Sequence, residues 1–304
     1  MVHSRGANTE KVNGKQGGVL MIDAILHYNY MQNAFFAALL ASIICGIIGT
    51  IIVEKKLVSM SGGIAHTSFG GIGAGYFLGI EPILGGLVFA VVAALSVARI
   101  RRKTNTNADT IISMFWSGGM ALGILFIALT PGYPPDMTSY LFGDILTVNN
   151  FYLIVMLVLT VAVIIIVVSV FNYWKIYLFD EEYAKIMGIQ VIIMELILFT
   201  MVSLSIVILI KVVGVILSIA MLTIPPAIAK LFTYELKWMM IGSMILGIVF
   251  SLLGLTMSYY LNIPSGATII LVGIICYFLA IFIRKTLSIK SVKSVESLKS
   301  ITNN

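Results

Sequence analysis

The chain has 304 residues, of which 60% are hydrophobic and 11% charged. A soluble domain carries about a quarter charged residues and a little under half apolar ones, so this balance excludes a soluble globular protein and fits a polytopic membrane protein. The net charge of +6 does not point to nucleic acid, because the basic residues lie scattered in short segments between apolar runs.

The first 30 or so residues are polar and contain no short apolar core followed by a cleavage site, so no secretory signal is read there. Residues 1–30 are expected to be a disordered extracytoplasmic N-terminus, with Met21 as an alternative start. An apolar run of about 20 residues crosses a ~30 Å hydrocarbon core. Nine such runs follow: 33–53, 61–80, 82–99, 111–130, 151–171, 191–210, 212–230, 238–261 and 266–284. They lack the two-residue alternation of a barrel strand, so helices are the only spanning form. Only Glu81 and Pro82 part the second run from the third, and only Lys211 parts the sixth from the seventh. Either pair reads equally as one irregular element, which leaves eight crossings as the alternative. The predicted fold class is therefore all-α, with a transmembrane domain over 31–285 and a polar cytoplasmic tail over 286–304. Cys45 and Cys276 sit singly inside apolar runs and read as small packing residues, not as a disulfide or metal cage.

Charge orients these runs. With the N-terminus outside, the inner segments hold 15 of the 19 basic residues, among them Lys55, Arg101, Arg102, Lys185 and Lys230. The segment 131–150 has none and carries Pro131, Pro134, Pro135, Asp136 and Asp144. The positive-inside rule then places the N-terminus outside and the C-terminus in the cytoplasm.

Polar groups inside a membrane are costly and mark functional positions. They are few here: His66, Glu195, Lys211 and the loop-edge acids Asp109 and Asp144. The sequence has no HExxH, no Gly-x-Ser-x-Gly and no phosphate-binding loop, which disfavours an enzyme and favours transport. On a helix, Gly62, His66, Gly70 and Ala74 form one row, and Gly63, Thr67, Gly71, Gly75 and Gly79 form the next. Such small-residue rows let another backbone come close. His66 then either hydrogen-bonds a carbonyl at a tight contact or offers a nitrogen to a passing cation. Glu195 reads as a snorkelling or capping acid, Lys211 as an outer-edge anchor, and Pro225 and Pro226 as the break that ends or kinks the seventh run. The inner segment 178–190 opens on Asp180, Glu181 and Glu182 and closes on Gly188, the caps of a short surface helix. It serves equally as a docking peg or as a plain connector.

Six stretches in order, SGGIAHTSFGGIGAGYFLG, DTIISMFWSGGMALGILF, YLFGDILTV, FDEEYAKIMGI, KVVGVILSIAMLTIPPAIAKLFT and YYLNIPSGATIILV, resemble the permease subunits of ABC importers for zinc, manganese and iron ions. The resemblance runs from about residue 31 to 284 and implies a type II ABC importer permease, with no ATPase site of its own, in the cell membrane. It implies a homodimer of permease protomers, a cytoplasmic ATPase dimer that alone uses ATP, and an extracytoplasmic metal-binding protein facing 131–150. It further implies that Asp180, Glu181, Glu182, Ala184 and Gly188 belong to the helix that couples to the ATPase. His66 would be a metal contact in the pathway, with Gly63, Gly71, Gly75 and Gly79 as packing positions. No permanent cofactor is implied; the divalent ion is cargo. Many members of that family carry an acid four residues before the histidine, where this chain has Gly62. Imidazole without carboxylate leans toward zinc over manganese or iron. A gradient-driven secondary transporter and a non-transporting scaffold are the competing classes.

Overall fold

The computed structural model describes residues 27–104, 107–132, 140, 141, 143, 145–261 and 263–302, with side chains described to 286. The described residues form eleven α-helices and no strand. They are α1 (Asn29–Glu54), α2 (Val58–Leu78), α3 (Pro82–Thr104), α4 (Ala108–Leu129), α5 (Asn150–Ser169), α6 (Phe171–Phe179), α7 (Glu181–Ile186), α8 (Val191–Val213), α9 (Val215–Phe232), α10 (Leu236–Leu261) and α11 (Ser265–Thr302). Eight are long and apolar enough to cross a membrane: α1, α3, α4, α5, α8, α9, α10 and the Ser265–Thr286 part of α11. Helix α2 has the length, 21 residues, but six of them are glycine, which lowers its apolarity. It lies along α4, from a Ser59–Asp109 hydrogen bond at one end to the Gly73–Gly123 contact at the other, and so spans the same depth.

Contacts define the two ends of the bundle. At one end, Lys55 after α1, Arg101 and Arg102 of α3, α7, Glu195 of α8 and Lys230 of α9 gather as a basic end. At the other, Tyr76 after most of α2, Tyr140, Tyr152 of α5 and Lys211 of α8 form a tyrosine end. Caps follow the sequence: the Asn107, Asn149 and Asp180 side chains accept from the backbone N–H of Asp109, Tyr152 and Tyr183. Helices α1, α2 and α8 are the most buried, whereas α4, α5 and the membrane part of α11 expose most of their surface.

Three boundaries differ from those expected. The sixth and seventh runs part at Gly214, with φ +83°, not at Lys211, which stays helical. Only a residue without a side chain adopts that backbone without strain. Pro225 and Pro226 do not end α9, which continues to Phe232. Each proline leaves the carbonyl four residues back without an intrahelical partner, here those of Met221 and Leu222. Gly49 of α1 packs directly on the Leu222 carbonyl and on Pro226, so the irregular stretch is held by a neighbouring helix. The last helix also extends past 284, to Thr302.

Candidate functional site

Helix α2 is built to be touched. Each helical glycine costs about 0.5–1 kcal/mol relative to alanine, so six must be offset by the packing they allow. A Cβ on Gly63 would strike the Ile112 side chain of α4, on Gly71 would sit 2.5 Å from the Gly85 carbonyl carbon of α3, and on Gly75 would sit 2.7 Å from Pro82 Cα. Gly79 takes no part in this contact. Its φ of +68° makes it the left-handed cap of α2, and open space surrounds it. Gly62 is looser: a Cβ there would lie 3.8 Å from Trp116 and from Ile219.

His66, half-buried, faces α4 and stacks on the Trp116 indole, with ring centroids 4.4 Å apart and planes 5° from parallel. Its Nδ1 is buried and meets no hydrogen-bond partner. The neighbouring Thr67 and Ser68 hydroxyls donate to the Gly63 and Ala65 carbonyls at 2.7 Å and 2.6 Å. Asp109 accepts from the Ser59 hydroxyl in the same α2–α4 groove, two turns nearer the basic end. Seven residues at 1.5 Å each put it about 10 Å from the His66 level, too far to share an ion. Among the described residues no three His, Cys, Asp or Glu side chains converge.

At the basic end, α7 presents two faces. Ala184 is fully buried, while Tyr183, Ile186 (81% exposed) and Met187 face outward beside Glu182. Gly188, with φ +76°, turns the chain toward α8. Glu181 reaches inward, 3.3 Å from the Lys55 amine and 3.9 Å from Arg102. Burial pulls the Lys55 amine below its ordinary pKa, only partly countered by Glu181; the amine also lies 3.8 Å over the Tyr177 ring. Burial raises the Glu181 carboxyl, but Lys55 and Arg101 outweigh it and hold the group below the usual carboxylate value. Glu181 therefore stabilises the fold above the ordinary carboxylate range and loses that contribution as pH falls through its lowered pKa.

The hub of this end is Glu195, only 2% exposed, hydrogen-bonded by Arg102 and 3.4 Å from Arg101. It neither snorkels nor caps. Arg102 joins it to Glu181, so one ion network ties α1, α3, α7 and α8 together. Orientation by charge hid this role, because Arg101 and Arg102 counted there only as basic residues. The signal present in the sequence was Glu195 itself, since a carboxylate in an apolar run must find cations. At the tyrosine end, Lys211 lies 5.4 Å and 5.3 Å over the rings of Tyr140 and Tyr152, beside a cavity of about 620 Å³. Pro134, Pro135, Asp136 and Asp144 lie outside the described residues.

Residues 27–284 match the ABC 3 transport family along their whole length. The chain belongs to this family. It is 42% identical over 275 residues to an uncharacterized membrane protein of Synechocystis sp., covering 90% of this chain and 98% of that protein. It is 31% identical to a manganese transport system membrane protein of Halalkalibacterium halodurans, over 86% of this chain and 89% of that one. A solved structure of PsaBC from Streptococcus pneumoniae in complex with Fab superposes with a TM-score of 0.79 at 30% identity, covering 89% of this chain and 98% of the matched chain. This ABC 3 family protein is thus a multi-span membrane protein of the metal ABC transporter permease type.

Proposed function

We propose that the protein is the permease subunit of an ABC importer that carries a divalent transition-metal ion, zinc foremost, into the cytoplasm. The observation that carries this reading is α7, a capped helix whose Glu181 is ion-paired to Lys55 after α1 and to Arg102 of α3, and whose outer face exposes Tyr183, Ile186 and Met187 beside Glu182 and Lys185. Such a peg suits a separate ATPase dimer, whose movement it would pass to the bundle. The basic end would then face the cytoplasm and the tyrosine end an extracytoplasmic metal-binding protein. A second protomer would complete the pathway. His66 is the ion contact, a nitrogen ligand on a helix whose glycines admit close neighbours. A manganese cargo is the second reading, favoured by the similarity to the manganese transport system membrane protein of Halalkalibacterium halodurans.

His66→Ala is expected to lower metal uptake by cells at least ~100-fold while leaving membrane insertion and ATPase retention unchanged, as for an interaction made only on the transport path. Normal uptake in that variant would make His66 a packing residue. Ile186→Ser with Met187→Ser is expected to lose the co-purifying ATPase. Retention by that double variant would remove the docking role of α7.

A further inference from the structure

We infer that Trp116 is a specificity-determining residue of the His66 site, one that disfavours ions needing oxygen ligands. The inference rests on His66 being an ion contact and adds a chemistry to it. A metal held by imidazole lies in the plane of the ring, at the lone pair of one nitrogen. The indole stacks nearly parallel to that plane with ring centroids 4.4 Å apart, so carbon lies over one face of the imidazole. Its six-membered ring also reaches down to Gly62, where a Cβ would lie 3.8 Å from Cζ3. The turn below His66 is therefore lined by indole where a side-chain oxygen could otherwise stand.

The side-chain oxygens next along α2 are turned to its own backbone. Thr67 and Ser68 donate to carbonyls of their own helix, and Asp109 is engaged by Ser59 about two turns away. An ion on His66 thus gains imidazole nitrogen and, among the described residues of this chain, no cluster of three His, Cys, Asp or Glu side chains. Affinity for nitrogen sites rises from Mn²⁺ toward Cu²⁺ and remains high for Zn²⁺, whereas Mn²⁺ depends on carboxylate, carbonyl and water oxygens. The indole limits the access of those waters on its side. It also pins the imidazole, whose buried Nδ1 has no hydrogen bond to hold its orientation.

The test uses the purified full-length chain in detergent, titrated with Zn²⁺, Co²⁺ and Mn²⁺ and followed by tryptophan emission and by the Co²⁺ visible spectrum. Zn²⁺ or Co²⁺ is expected to quench emission in the wild type, and His66→Ala and Trp116→Phe are expected to remove that response. The wild type is expected to prefer Zn²⁺, and Trp116→Ala is expected to narrow the Zn²⁺-to-Mn²⁺ affinity ratio by ~10-fold or more, as loss of a group around the ligand shell does. Gly62→Asp, whose Cβ would meet Ile219 and Trp116 only at an ordinary contact distance of 3.8 Å, is expected to raise Mn²⁺ affinity further when combined with Trp116→Ala. If His66→Ala abolishes binding but Trp116→Ala leaves the ratio unchanged, the role of Trp116 fails alone. If His66→Ala binds like the wild type, the reading of His66 fails and the inference with it.

Discussion

Replacing both Arg101 and Arg102 with alanine is expected to cost about 3–5 kcal/mol of stability, the loss that follows when a buried charge is left without its partner. The carboxylate left behind belongs to Glu195, which is 2% exposed and cannot turn to water. The reverse change is expected to be milder. In Glu195→Gln the orphaned charges are two guanidiniums that are 32% and 29% exposed and sit on long stems. They can swing outward, so about 1–2 kcal/mol is expected, near the worth of a charged hydrogen bond. Thermal unfolding of the two variants in detergent checks the asymmetry. Equal losses would mean that Glu195 is not the buried member that needs compensation. The double-arginine variant also cuts the link between Glu195 and Glu181, so under the proposed coupling the partner ATPase should hydrolyse ATP with less transport per turnover.

Gly71→Ala is expected to be the other severe change. The Gly71 and Gly85 backbones face each other across α2 and α3, and a new methyl would lie 2.5 Å from a carbonyl carbon and 2.8 Å from Gly86 Cα. Overpacking usually costs 1–3 kcal/mol because side chains give way, but backbone atoms on a paired helix cannot, so a loss of about 3 kcal/mol or more is expected. Gly62→Ala is the control on the same helix. Its Cβ meets nothing nearer than 3.8 Å. Relief of the helical glycine penalty should make it neutral or stabilising by up to about 1 kcal/mol. Expression level and melting temperature should separate the two variants clearly, and equal behaviour would refute the tight α2–α3 contact.

Much of the helical layout was legible because a long apolar run in a membrane has one solution, a helix that satisfies its own backbone. Boundaries were read less well where a local rule met a tertiary contact. Lys211 resembled an interface marker, yet it extends over two tyrosine rings without breaking α8, and the break falls on Gly214. Pro225 and Pro226 resembled a terminus, yet α1 packs Gly49 on the stretch and α9 continues. Gly79 fitted the small-residue row by spacing but is a cap by its φ. His66 was visible as an isolated imidazole among glycines. Trp116, 50 residues on, was not visible as its partner, because only the parallel packing of α2 and α4 brings the rings together. The same holds for Glu195 and Arg102, separated by 93 positions. Periodicity reports which face is apolar, not which neighbour covers it.

In the proposed function, this chain moves a metal ion with His66 on the path and the energy supplied through α7. The most direct test is metal uptake into proteoliposomes holding the purified chain with and without its ATPase, in the absence of any ion gradient. Zinc uptake is predicted to require both the ATPase and ATP and to vanish with His66→Ala. Uptake that proceeds without the ATPase once a proton or sodium gradient is applied, and that persists in His66→Ala, would contradict the account.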